Sequence, residues 1–233
     1  MMSRTLTTAL ALALTAAPAL PAKAWAQDAP GQWSFGFGAA TDNRSKGASK
    51  TQGQEYVWVS AEWESDSGLY YVGGDFEGVD SSGSDIEGEV NFGLRPEVGG
   101  FDLDLSVAHK WLLDANPGTD DGAWEYTADV SRSIGPASGR IRLQYSPDSL
   151  GSTEAWTWVE ARAGWAWSPT VKTTAAIGRR EQDNAIDYTG YNAGVNWKIG
   201  RNADLDVRWY GTDGPSGDPR YADAVVAAIS FGF

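Results

Sequence analysis

The sequence holds no cysteine, one histidine (His109) and two methionines in 233 residues. Without cysteine there is no disulfide, no thiolate metal site and no cysteine nucleophile. One histidine excludes a His-rich metal centre and leaves few routes to a histidine-dependent catalytic centre. Positive charge is scarce as well: 18 Lys+Arg against 31 Asp+Glu give a net charge of −13. That is the wrong balance for neutralising phosphates, so nucleic acid is excluded as a partner. Beyond the first 20 residues no long apolar run occurs, and no 3.6-residue stripe persists for three turns. What the chain does have is 12 Trp, 9 Tyr, 7 Phe and 28 Gly.

The N-terminus reads as an export signal. Met1-Met2-Ser3-Arg4 is a short basic start, Thr5 to Leu20 is rich in Ala and Leu, and Ala24-Trp25-Ala26 has the small-x-small pattern of a cleavage site. The apolar run falls short of the roughly 20 residues of a membrane-spanning helix. Cleavage after Ala26 is expected, leaving residues 27–233 as one domain. The signal takes Arg4 and Lys23 and no acid, so 16 basic residues then face 31 acidic ones, a net −15.

Alternation dominates the rest. Ile86, Val90, Phe92 and Leu94 alternate with Glu87, Glu89 and Asn91, and Phe101, Leu103, Leu105 and Val107 with Asp102, Asp104 and Ser106. Trp124, Tyr126 and Val130 alternate with Glu125 and Asp129, and Ile141, Leu143 and Tyr145 with Arg140, Arg142 and Gln144. Period two makes each run a strand with one apolar and one wet face. Twelve such runs are counted, near 32–41, 54–64, 68–77, 85–95, 100–112, 123–134, 138–146, 155–167, 170–180, 186–198, 203–211 and 220–233. Their lengths approach the ~9–11 residues of a tilted membrane-crossing strand. Short turns such as Gly135-Pro136-Ala137 and Ser168-Pro169 follow the even runs. Longer polar links (42–53, 78–84, 113–122, 147–154, 181–185 and 212–219) follow the odd ones. An even strand count with sorted loops predicts an all-β protein, a transmembrane antiparallel up-and-down β-barrel of about twelve strands, lodged in the bacterial outer membrane.

The aromatics sort in the same way. Trp63, Tyr70, Phe101, Trp165, Trp167, Trp197, Phe231 and Phe233 fall near the short-turn ends. Tyr56, Trp58, Phe76, Trp111, Trp124, Tyr126, Tyr145, Trp156, Trp158, Tyr191 and Trp209 fall near the long-loop ends. Two belts around an aliphatic band match the two membrane interfaces. The last run, Val225-x-Ala227-x-Ile229-x-Phe231-x-Phe233, resembles the C-terminal strand by which outer-membrane proteins are recognised for assembly, which marks Phe231 and Phe233 as that signal. Residues 41–51, Thr-Asp-Asn-Arg-Ser-Lys-Gly-Ala-Ser-Lys-Thr, resemble the S-D-Y-x-F-R-G-x-S-Q-T signature of the TorF-family porins. Asn43 and Ser45 replace the usual aromatics there, and Lys46 the usual arginine. Parity points 43 and 45 outward, so the first strand is expected to leave the lipid early. The resemblance implies an outer-membrane barrel with a pore and no particular substrate.

Inward residues sort by sign. Asp75, Glu87, Glu89, Asp102, Asp104, Glu125 and Asp129 form an acidic wall, and Arg140, Arg142, Arg162, Lys172 and Arg180, with Glu160 among them, a basic one. Such a field orients water and polar solutes in a pore. The expected function is a porin-like channel passing small polar or ionic solutes. The alternative is a structural or surface-receptor barrel whose lumen is occluded by ion pairs across it. No enzyme is expected: His109 shares the lipid-facing parity of Val107 and Trp111 and has no nucleophile beside it. Asp114 to Asp121 departs from the spacing of a calcium loop. No cofactor or dedicated metal site is expected. The expected partners are outer-membrane lipids, lipopolysaccharide, the barrel assembly machinery and the solutes themselves.

Overall fold

The structure, a computed structural model, describes residues 31–151 and 153–233. The expected signal peptide and its cleavage site lie outside these residues. In chain order the strands are β1 (Gln32–Ala40), β2 (Arg44–Ser45), β3 (Ala48–Ser49), β4 (Tyr56–Glu64) and β5 (Tyr70–Ser81). They continue with β6 (Ser84–Leu94), β7 (Glu97–Val98), β8 (Phe101–Leu112), β9 (Gly122–Ile134) and β10 (Ala137–Ser146). The last are β11 (Trp156–Ala166), β12 (Val171–Gln182), β13 (Tyr188–Ile199), β14 (Ala203–Thr212) and β15 (Ala224–Gly232).

Setting aside the short β2, β3 and β7, twelve long strands run antiparallel, each beside its sequence neighbours, and β1 pairs with both β4 and β15. The seam is in register, with Phe37 opposite Phe231 and Gly36 opposite Gly232. Past the last ladder pair, Phe35 N–H donates to Phe233 O at 3.1 Å and Phe233 N–H to Phe35 O at 2.9 Å. Closure leaves no open edge among the twelve long strands, the condition for a sheet to lie in lipid.

Alternation gives the wall its two surfaces. Phe35, Val59, Val72, Val90, Val130, Ile141, Leu143, Val159, Ile177, Val195, Val207 and Ile229 are exposed on the outside. At one rim the exposed rings are Trp33, Tyr70, Phe101, Trp165, Trp167, Trp197 and Phe233; at the other they are Phe76, Trp124, Tyr126, Tyr145 and Trp209. A surface this apolar on its outside is one that lipid, not water, covers. His109 stands in this outer row, its ring 4.7 Å from that of Trp124 and 6.1 Å from that of Trp111.

The expected pattern changes in several places, and the last strand, expected from 220, begins at Ala224. The link expected at 78–84 is a two-residue turn: β5 continues past a bulge to Ser81, which pairs with Ser84. Ser82 and Gly83 both have positive φ, 55° and 83°, the turn geometry that matches strand twist in a tight hairpin. Four aromatics assigned to the outer belt turn inward. Trp33 and Phe37 face lipid, and in register they oppose Trp63 and Val59, so Tyr56 and Trp58 fall on the other face of β4. Trp58 lies against Gly38. Trp156 and Trp158 are buried on β11, where they pack with Tyr188. Position near a strand end placed these rings at the right height, but parity sets their side.

Candidate functional site

The interior is built from the polar half of each strand, and one loop fills part of it. Residues 41–55 turn inward where β1 ends at Ala40. Outward orientation was expected for positions 43 and 45; instead Asn43 is buried and its Nδ2 donates to Gly78 O at 3.0 Å. The first strand has no apolar side chain left to offer lipid beyond Ala40, so its polar continuation folds into the wet lumen. There β2 and β3 form a hairpin with Lys46 and Gly47 at its tip, both at positive φ (55° and 90°).

The hairpin reaches several walls. Asp42 accepts from the hydroxyl of Thr51 at 2.9 Å and pairs with Arg44. Arg44 Nη1 donates to Ala222 O at 2.8 Å, and Asp80 N–H to Lys50 O at 2.7 Å. Lys50 Nζ pairs with Glu77 and lies 2.7 Å from Glu87. Lys46 Nζ sits 3.4 Å from Glu125 on β9 and 4.3 Å from the centre of the Trp156 ring on β11. Burial pushes the Lys46 ammonium down to about 8, against the opposing pull of Glu125. On β13, Gly190 takes the tip itself: a Cβ on Gly190 would lie 2.4 Å from Lys46 O, and one on Gly47 2.9 Å from Gly190 Cα.

The hairpin parts the lumen in two. On the long-loop side is a cavity of about 440 Å³ lined by Lys50, Trp156, Arg180, Gln182 and Tyr221. Toward the short turns is one of about 450 Å³ lined by Tyr71, Glu89, Arg95, Asp104, Arg142 and Arg162. Ser45, Lys46, Lys110 and Glu125 line both.

The residues expected on the acidic wall lie on the inner face, but they do not form an uninterrupted acidic wall. Glu87 and Glu89 on β6 receive Lys110 of β8, at 3.3 and 2.9 Å. Asp104 accepts from Tyr71 Oη at 2.7 Å and lies 3.5 Å from Arg95 Nε. Arg95 also bridges Glu62 and Glu64 at 2.8 and 2.9 Å, with its guanidinium 3.7 Å from the centre of the Tyr71 ring. Asp75 lies opposite Glu89 and Ser60 in register, and Asp102 is exposed at the short-turn rim.

On the basic side, Arg142 grips Asp129 through Nε at 2.8 Å and Nη2 at 2.6 Å. Arg140 Nη2 donates to Glu160 at 2.6 Å. Arg162 and Arg180 are half-buried, and Lys172 is exposed at the rim. Arg180 lies 4.6 Å from the centre of the Trp156 ring.

Most of these ion pairs join neighbouring strands or tie the hairpin to the wall. Lateral pairing arises because Asp129, Arg140, Arg142 and Glu160 occupy adjoining inner positions on β9, β10 and β11. Lys46, Lys50, Arg95, Lys110 and Arg208, with Arg44, Glu62 and Glu77, also belong to the charged interior and were missed. Parity alone places Lys110 with Asp104 and Arg208 with Asp206; the two loop lysines carry no signal of that kind.

No protein-family model matches the sequence, and no curated protein matches it. Solved structures do match in fold. The KdgM porin superposes with a TM-score of 0.61 at 6% identity, covering 86% of this chain and 99% of its own. An outer-membrane channel of Pseudomonas putida F1 gives 0.59 at 9%, covering 90% and 98%. The NanC porin gives 0.59 at 6%, covering 87% and 99%. At such identities the likeness is one of barrel architecture.

Proposed function

We propose that this chain is an outer-membrane porin-like channel for passive diffusion of small polar or ionic solutes. One observation carries the reading: the closed barrel encloses two polar cavities divided by a single hairpin, not a dry core. Twelve strands leave more room than the roughly eight whose side chains fill a barrel, and a charged wall keeps that room wet. Export by the N-terminal signal, recognition of Phe231 and Phe233 by the assembly machinery, and contact of the long loops with lipopolysaccharide belong to the same reading. So does kinship with the TorF-family porins, supported by the stretch at 41–51.

Purified protein in planar bilayers should give discrete conductance steps with a modest preference for cations, because carboxylates outnumber cations in the mature chain. The second reading, an occluded barrel acting as a structural or surface protein, draws on the hairpin's many contacts inside the lumen. Absence of steps both in the natural protein and in a variant with residues 44–49 replaced by Gly-Ser would favour it.

A further inference from the structure

The inner wall at β11 and β12 carries a cation that the protein's own acids leave incompletely matched. Arg162 approaches one carboxylate, Glu160, with Nε at 3.3 Å, and that Nε completes no hydrogen bond. Glu160 already accepts from Arg140 at 2.6 Å, and Asp129 is held by the fork of Arg142. Three arginines share two carboxylates. Arg140, Arg208 and Arg142 are among the charges acting on Arg162, and Arg208 directs its own fork to Asp206 and Asn192. Among the described residues the terminal nitrogens of Arg162 have no hydrogen-bond partner. They border the inner cavity, which is large enough for a small organic solute.

Toward the short-turn rim, the neighbouring strand adds two more donors. Register sets Ala176 opposite Arg162, Thr174 opposite Gly164 and Lys172 opposite Ala166. Thr174 Oγ1 is buried without a partner, and Lys172 makes no ion pair among the described residues. Gly164, two residues on from Arg162, leaves room for Lys172 and Thr174 to lie side by side: a Cβ there would fall 2.6 Å from Ser138 Oγ, 2.9 Å from Lys172 Cε and 3.2 Å from Thr174 Cγ2. A planar fork with free N–H groups on the cavity, with an ammonium and a hydroxyl on the next strand, is matched by a planar oxyanion.

We propose that Arg162, Thr174 and Lys172 form a carboxylate-binding station on the inner wall, so that carboxylate-bearing solutes pause there during passage. The station rests on the channel reading only for its use in transport, since binding is measured without current. Succinate is the probe, and its proton line broadening is followed on addition of refolded barrel in micelles, with succinamide as the neutral counterpart. Broadening is expected for succinate alone, unchanged in Arg201→Gln on the short turn between β13 and β14, and reduced severalfold in Arg162→Gln. Thr174→Val, which keeps shape and removes only the hydroxyl, should weaken it less, and it carries the test if Arg162→Gln does not fold. No broadening with the natural protein, or equal broadening in the natural protein and whichever of these variants folds, would overturn the station. Succinate binding without bilayer current would sink the channel reading and leave the station; current without succinate binding would do the reverse.

Discussion

Lys46 couples the hairpin to pH. Buried against Glu125, Trp156 and the more distant Arg180, Lys110 and Lys50, its ammonium loses its proton at about 8, whereas a lysine in water keeps it to about 10.5. Between those values the withdrawn hairpin holds a proton that the seated one lacks, so rising pH favours seating and falling pH through about 8 removes that advantage. Conductance should therefore drop as pH rises from 7 to 10, and Lys46→Arg, which stays charged, should flatten the profile; a rising profile in the natural protein contradicts this. On β10, between the two strands that Lys46 touches, Arg140→Ala with Arg142→Ala leaves Asp129 and Glu160 short of partners. The reversal potential under a salt gradient should move toward stronger cation selectivity, and an unchanged value would mean these arginines lie off the conducting path. At this scale parity was a good guide: Arg140 and Arg142 point inward because Ile141 and Leu143 must face lipid. It was silent on Lys46 and Lys50, which sit on no membrane-crossing strand and whose partners lie far along the chain.

Among the elements, the hairpin of β2 and β3 is held as much by backbone fit as by charge. Gly190→Ala sets a methyl against Lys46 O while leaving every charge in place, so it should unseat the tip and raise conductance severalfold in single-channel recordings. A conductance equal to that of the natural protein would show that the tip does not limit flow. The inward fold of residues 41–55 was not legible, since an exposed polar loop and one dipping into a wet lumen have the same composition. The long strands were legible almost to the residue, because lipid on one side and water on the other leave only one register. The exceptions are the outer end of β5, where pairing runs on to a turn at Ser82 and Gly83, and the last strand, expected from 220 and beginning at Ala224. At the other end of the chain, deleting Phe233 removes a backbone bridge to β1 and an aromatic contact with Phe37, whose ring centre is 6.0 Å away. Outer-membrane accumulation should fall at least severalfold, while a charged residue at exposed Ser216 should change it little. Equal accumulation of both variants would refute this.

For the molecule as a whole, an apolar outer band and a polar interior invert the arrangement of a water-soluble protein, and composition alone gives no hint of it: mean hydropathy is −0.37. Only the alternation reveals which half of the residues meets lipid. The protein should resist extraction from membranes by carbonate or high salt and should run as a compact species on cold gels that shifts after boiling. Release by carbonate alone would contradict a membrane-embedded barrel. The hairpin has a mechanical consequence too. A hollow cylinder one sheet thick flattens easily into an ellipse, and a strut between well-separated points of its circumference stiffens it. Tied to β5 through Gly78, to β9 through Glu125 and butted against β13 at Gly190, the hairpin is such a strut. Removing it should yield a pore that is not only wider but less round and noisier in its current, as the cross-section begins to breathe.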